Sequence, residues 1–512
     1  MTGNIVTRHG RRFAALLGLF AAGSVLAAPR FANVFGDHVV LQRDREIVIW
    51  GEGAGPEQTL SVHFAEEAVS ATIGADGRWE VWLPALPASR EGRTLELIAG
   101  DERIASLRDV VVGDVWLAAG QSNMQFPVRG MVKGMPEADR WVAGADVPDV
   151  RFRRVNDKVK ADARAEANDL GEAGSWLPMS KDSVAGFSAL AAVFAREVHE
   201  QLEVPVGIID VSWGGKPIEA FIPREAFATP LLRKIVELAD ADQLDELRQL
   251  HGGLIVRNPE GRPGSIFNAR MAPLGRYGLR GFLWYQAESN AGRGEDPREY
   301  RHKMRAMIEG WRARWRRGDL PCYYVQLPGF PPATGWVRVR EEQRRALEIA
   351  NTGMVVTIDV PGEGIHPPDK LTVGKRLARL ALAETYGLGT ADVSGPVYDG
   401  QRIEGREVRV QFSNCGTGLM VGNLASSGSV TESKSVGPGW FELAGADGVW
   451  RAAVARIEGA ELVVTAKEIA SPVAVRYACH PDPLGSNLYN RAGFPASPFC
   501  SALEWLPWLD QP

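Results

Sequence analysis

The sequence predicts an α/β protein built on a parallel sheet flanked by helices, with a β region at each end of the chain. Three observations carry this. Between about 113 and 392, apolar runs that read as buried strands alternate with segments of helical periodicity, the pattern of a parallel sheet covered on both faces. Before and after that stretch, apolar residues recur with a period near two, as half-buried strands require. The chain has 512 residues, too many for one small core, and two or three domains are expected.

The elements follow in order. Arg8, Arg11 and Arg12 precede the apolar run Phe13 to Leu26, and Val25-Leu26-Ala27-Ala28 offers small residues. Residues 1–28 therefore read as an export signal cleaved after Ala27 or Ala28. The run is too short to anchor the chain stably across a bilayer, so the protein is expected in the periplasm or outside the cell. Residues 29–112 read as a small β-sandwich. Trp79-Glu80-Val81-Trp82-Leu83 and Thr94-Leu95-Glu96-Leu97-Ile98 alternate, and Ala75-Asp76-Gly77 marks a turn. Residues 113–392 hold the candidate strands Val115–Ala119, Val206–Val211, Gly281–Tyr285, Tyr323–Leu327 and Met354–Ile358. Leu190, Val193, Phe194 and Val198 share one helical face, as do Val373, Leu377, Leu380 and Ala381. Segments 125–180 and 224–265 are weakly patterned and charged, and read as surface insertions that shape a cleft. Residues 393–512 return to β patterning, with Val408, Val410 and Phe412 alternating, then Val463-Val464 and Val473-Ala474-Val475.

Composition narrows the partners. Hydrophobic residues make up 45% and charged residues 24%, the balance of an ordinary soluble globular chain. The formal charge is −5, and loss of the three signal arginines takes it to about −8. This argues against nucleic acid or an anionic membrane as the main partner. Fifteen tryptophans are compatible with sugar stacking, although core packing is the first reading for any one of them. Cys322, Cys415, Cys479 and Cys500 form no Cys-x-x-Cys pair, so a zinc knuckle is not expected. In an oxidising compartment Cys479–Cys500 is the first choice for a disulfide. Cys322, inside an apolar run, reads as a buried thiol. No metal and no cofactor is expected.

The chemistry concentrates at strand ends. Val115-Trp116-Leu117-Ala118-Ala119 breaks into Gly120-Gln121-Ser122-Asn123-Met124, which places Ser122 at the carboxyl end of a buried strand, where open α/β sheets bind ligands. The setting differs from the Gly-x-Ser-x-Gly elbow, because Met124 occupies the second glycine position. A nucleophilic serine needs a base. Of the eight histidines, His366 in Gly362-Glu363-Gly364-Ile365-His366-Pro367 follows a strand and precedes a helix. Glu363 or Asp359 could orient its ring, and the spacing leaves both open. Oxyanion donors are offered by the backbone of Ser122, by the glycines of Trp213-Gly214-Gly215-Lys216 and by the amide of Gln286.

Four segments together resemble the sialate O-acetylesterase-like branch of the SGNH hydrolases: VWLAAGQSNM (115–124), SWGGKPIEA (212–220), GFLWYQAESNA (281–291) and IHPPDK (365–370). Leu41-Gln42-Arg43, Tyr324–Pro328, Arg340–Gln343, Val475-Arg476-Tyr477 and Gly493–Ala496 fit as well, so the resemblance spans nearly the whole chain after the signal. It implies a flavodoxin-like SGNH sheet and a serine esterase that removes O-acetyl groups from sugars without a metal. Ser122 then falls at the nucleophile, His366 at the base, and Gly215 and Gln286 at oxyanion donors, with Gly214 a near rival of Gly215. Lys216 stands where Thr is usual, Ala287 where Gly is usual, and Glu363 where many SGNH enzymes carry Asp.

The implied partner is an acetylated oligosaccharide or polysaccharide, either sialic acid or a plant hemicellulose such as xylan or xyloglucan. The lack of an arginine cluster placed to pair a sialate carboxylate favours hemicellulose. A non-catalytic carbohydrate-binding protein with a degenerate esterase domain is the alternative. A lipid or thioester hydrolase would want a long apolar channel, which the charged insertions do not suggest.

Overall fold

The computed structural model describes Met1 and residues 28–506, apart from 54, 156–162, 171–174, 253–254, 293–295, 332–334, 363, 390–391 and 427. The residues read as an export signal therefore lie, from 2 to 27, outside the described residues.

One strand organises the molecule. Glu102–Gly120 pairs antiparallel with Ser89–Ala99 through its first half. Its second half lies between Val206–Asp210 and Gly281–Tyr285, parallel to both. The sheet order around it is Leu177–Met179, Val147–Arg154, Val206–Asp210, Glu102–Gly120, Gly281–Tyr285, Cys322–Val325 and Thr352–Val355. Every pair is parallel except the first, which is antiparallel. The transition expected near 112 thus lies inside a continuous strand, and part of the N-terminal β region shares a sheet with the α/β region, while Arg30–Phe31, Ile47–Glu52 and Arg78–Leu83 form a sheet of their own.

The helices cover both faces because successive side chains of a strand point to opposite sides. Trp116 and Ala118 pack with Leu190, Phe194, Leu377 and Ala381 of the helices Ala189–Leu202 and Lys370–Glu384. Val115, Leu117 and Ala119 belong to the opposite core, which holds Met304, Ile308 and Trp311 of the helix Tyr300–Arg314. Trp116, Trp176, Trp284, Trp311 and Trp336 are fully buried, so much of the tryptophan content serves packing.

The sequence reading passes over Val147–Arg154. It falls in the segment read as an insertion, yet it pairs with Val206–Asp210 and is buried along most of its length. Its charged residues conceal it. Arg151 donates to Asp109 O at 2.5 Å, and Arg153 donates to Asn33 O, so both guanidinium groups find backbone acceptors inside the fold.

After 393 the chain forms small antiparallel sheets, including Val397–Glu404 with Glu407–Ser413 and Phe441–Ala444 with Ala474–Tyr477. They lean on loops at the carboxyl edge of the parallel sheet. Phe330 N donates to Pro481 O at 2.9 Å, and the Tyr489 hydroxyl donates to Asp359 at 3.0 Å. The expected Cys479–Cys500 disulfide is not formed, and all four cysteines are free thiols. Cys479 donates to Phe499 O and Cys500 to Ala502 O. Cys322 is buried, which pushes its thiol up to about 12. No helix among the described residues is long and apolar enough to cross a membrane.

Candidate active site

The parallel strands end at one rim, and the motif residues lie there because each follows a strand. Gly120 closes the central strand at φ +134, and a Cβ on it would stand 2.1 Å from Tyr285 O. Only glycine permits this approach, which lets Gln121 N donate to Tyr285 O at 3.0 Å. The chain then turns into the short helix Ser122–Gln125 with Ser122 as its first residue.

Ser122 meets His366 across the rim. His366 stands in the loop between the strand Thr352–Val355 and the helix Lys370–Glu384. Its Nε2 lies 2.7 Å from Ser122 Oγ, the geometry of a hydroxyl donating to a base. Partial burial and the Lys370 ammonium hold the imidazole below its usual value, which favours the neutral form that accepts a proton.

Of the two candidate orienters, Glu363 lies outside the described residues. Asp359 is directed elsewhere. It receives Arg376 Nη1 and Nη2 at 2.8 and 2.6 Å together with the Tyr489 hydroxyl.

The loop after Val206–Asp210 passes beside the serine. A Cβ on Gly214 would come within 3.5 Å of Ser122 Cβ. Gly214 N–H is engaged, donating to Gln125 Oε1 at 3.0 Å. Gly215, at φ +68, faces open space, and its N–H meets no acceptor among the described residues. Lys216, the departure from Thr, is buried and reaches away to Asn258 Oδ1 at 3.0 Å and Glu260 at 3.7 Å. Arg270 stacks on Trp213 at 3.8 Å and donates to Ser212 O at 3.0 Å.

The amide of Gln286, expected as an oxyanion donor, is engaged within the fold. It is wholly buried. Its Nε2 donates to Gln121 Oε1 at 3.0 Å, Lys216 O at 3.2 Å and Asn290 Oδ1 at 2.8 Å. Its Oε1 accepts from the Tyr300 hydroxyl at 2.8 Å. Three acceptors share two amide hydrogens, so Gln286 braces Gln121, the residue before Ser122, and the glycine loop.

Sequence reasoning missed a buried layer beneath the pair, although its members stand inside the quoted motifs. Asn123 Nδ2 donates to Glu288 Oε1 at 2.6 Å and to Ile365 O at 2.9 Å. Lys370 Nζ donates to Asn123 Oδ1 and to Pro367 O, both at 2.7 Å. Burial pushes the Glu288 carboxyl up to about 7 and the Lys370 ammonium down to about 7. No cluster of three or more His, Cys, Asp or Glu among the described residues is arranged to hold a metal ion.

Comparison with known proteins agrees with this chemistry. Residues 265–383 match the family model for carbohydrate esterase, sialic acid-specific acetylesterase. Sialate O-acetylesterase of Rattus norvegicus is 28% identical over 417 residues, covering 72% of this chain and 76% of the relative. That of Homo sapiens is 28% identical over 406 residues, covering 72% and 73%. A carbohydrate acetylesterase from Xanthomonas citri, known by crystal structure, superposes with a TM-score of 0.79 at 30% identity, covering 93% of this chain and all of its own. The chain belongs to the sialate O-acetylesterase-like family of carbohydrate esterases and is a carboxylic ester hydrolase.

Proposed function

We propose that the chain is an exported SGNH-type serine esterase that removes acetyl groups from plant hemicellulose, such as xyloglucan or xylan, through an acetyl-Ser122 intermediate. The observation that carries this is the 2.7 Å contact between Ser122 Oγ and His366 Nε2. Ser122 Oγ attacks the acetyl carbonyl carbon while His366 Nε2 takes its proton. The tetrahedral oxyanion is held by the N–H groups of Ser122 and Gly215. Gly215 is preferred to Gly214, whose N–H is bound to Gln125. As the C–O bond to the sugar breaks, His366 returns the proton to the departing hydroxyl. Water, deprotonated by His366, then cleaves the acetyl-serine and releases acetate. Glu363 is the proposed partner of His366 Nδ1, because both oxygens of Asp359 are taken by Arg376 and Tyr489.

A neutral sugar is supported by two cations beside the glycine loop. Lys216 faces Asn258 and Glu260, and Arg270 is buried on Trp213 and backbone carbonyls. Neither offers the open bidentate face that a substrate carboxylate favours. Acetate release from acetylated xyloglucan, acetylated xylan and O-acetylated sialic acid, measured side by side, tests the choice. Turnover of a hemicellulose is expected, and release from sialate alone would overturn it. Labelling of Ser122 by a serine-reactive phosphonate tests the mechanism. An unlabelled chain would leave the non-catalytic binding protein as the reading.

A further inference from the structure

We propose that Asn123 and Lys370 form a positioning clamp that fixes the His366 imidazole in register with the Ser122 hydroxyl. The inference rests on the reading of Ser122 and His366 as nucleophile and base. His366 is exposed on a loop, and a loop does not by itself hold a ring to the tolerance that proton transfer needs. The carbonyls on both sides of it are nevertheless held from the nucleophile's own turn. Asn123, covalently next to Ser122, donates to Ile365 O at 2.9 Å. Lys370 joins Asn123 Oδ1 to Pro367 O with two contacts of 2.7 Å. Glu288 Oε1 accepts from Asn123 Nδ2 at 2.6 Å and sets the orientation of that amide. Asn123, Glu288 and Lys370 are all buried, so water does not compete for these contacts.

Lys370 is an unfavourable residue for its place on two counts. It opens the helix Lys370–Glu384, where the helix dipole disfavours a cation. It is also 1% exposed, and a buried ammonium carries a heavy desolvation cost. Its surroundings only partly offset this. The carboxylates of Glu288 and Asp369 favour its charge, and the rings of Phe126 and Tyr285 lie 5.1 and 5.4 Å from Nζ. A methionine would fill the same volume without the charge and pack as well. A cation kept at such a place is explained by what its donors hold: Asn123 Oδ1, next to Ser122, and Pro367 O, next to His366.

The test compares the full chain with Lys370→Met and Asn123→Ala, using p-nitrophenyl acetate turnover, the rate of phosphonate labelling at Ser122 and the pH profile of kcat/KM. Each variant is expected to lose about 10- to 100-fold in kcat with KM within about two-fold, since a displacement near 1 Å has that effect. Labelling should slow in parallel. In Lys370→Met the acid limb of the profile should also move to higher pH, because removing the ammonium relieves the imidazolium. A residue that only filled space would leave that limb unmoved. Wild-type kcat per labelled site in a folded variant, or a loss confined to KM, would overturn the clamp. If Lys370→Met fails to fold, Asn123→Ala carries the same kcat test from the other end. A wild-type chain that takes no label at Ser122 would instead overturn the esterase mechanism itself.

Discussion

Asp359 and Arg376 form a buried two-pronged ion pair, with Arg376 Nη1 and Nη2 at 2.8 and 2.6 Å from the two carboxylate oxygens. Side-chain exposures of 1% and 6% mean that water screens little of it. Tyr489 adds a third contact from the C-terminal β region. The loop that leads to His366 is therefore fastened to both the following helix and the C-terminal sheets. The carboxylate serves the scaffold, and both of its oxygens are occupied there.

Asp359→Asn should thus cost stability before it costs chemistry. Breaking one side of a buried pair leaves an uncompensated charge and destabilises by about 3–5 kcal/mol. Thermal denaturation should show the loss, and kcat at a temperature where the variant is folded should stay within about three-fold of wild type. A fall in kcat near 10^4-fold with the melting temperature unchanged would make Asp359 the orienting acid instead.

The pH dependence follows from His366. In the proposed mechanism the acting base is the neutral imidazole. Partial burial and Lys370 lower its proton affinity, so it stays neutral to a lower pH than a free imidazole near 6.5. The pH profile of kcat/KM should be flat down through about 6.5 and fall only below it. Ser122→Ala and His366→Ala should each lower kcat by on the order of 10^4-fold or more, with melting temperatures close to wild type because neither side chain is buried. An acid limb above about 7 would contradict the electrostatics of the loop.

Gln286 separates two roles by experiment. In Gln286→Ala the Gln121, Asn290 and Tyr300 side chains lose a partner in a buried setting. Each keeps one other partner, Ser289 N–H, Ile218 N–H and the Trp284 indole respectively, so each lost bond costs about 0.5–1.5 kcal/mol. Thermal or urea denaturation should register a large destabilisation, and kinetic loss should accompany it. A folded variant of unchanged stability whose kcat alone falls about 10^2- to 10^3-fold would restore Gln286 as a direct oxyanion donor.

Much of this arrangement is legible in the chain because strand ends carry it. Apolar runs that stop at Gly120, Asp210, Tyr285 and Val355 locate the rim, and Ser122 and His366 follow from it. What escapes is decided by contacts distant in sequence. Asp359 and Glu363 are equivalent in spacing, and only Arg376 and Tyr489 distinguish them. Gly214 and Gly215 differ by the reach of Gln125. Val147–Arg154 hides because Arg151 and Arg153 look like surface residues until their carbonyl acceptors are seen.

Ala287 is the last test, and its sign is set by the backbone. It follows Gln286 at φ +144 and ψ −15, a region that a residue with a Cβ enters only under strain. Such strain costs about 1–3 kcal/mol; this geometry lies outside even the left-handed helical well, which places it toward the upper end. Ala287→Gly relieves it. Against that stand the greater freedom of glycine in the unfolded chain, about 0.5–1 kcal/mol, and the loss of one buried methyl, about 0.8 kcal/mol. The balance predicts a gain of roughly 1 kcal/mol, read as a higher melting temperature, with kcat within about two-fold because the flanking Gln286 and Glu288 keep their partners. Ala287→Val should move stability the other way, since a β-branched side chain tolerates this backbone less well. A lower melting temperature for the glycine variant would mean that the turn after Tyr285 holds no strain.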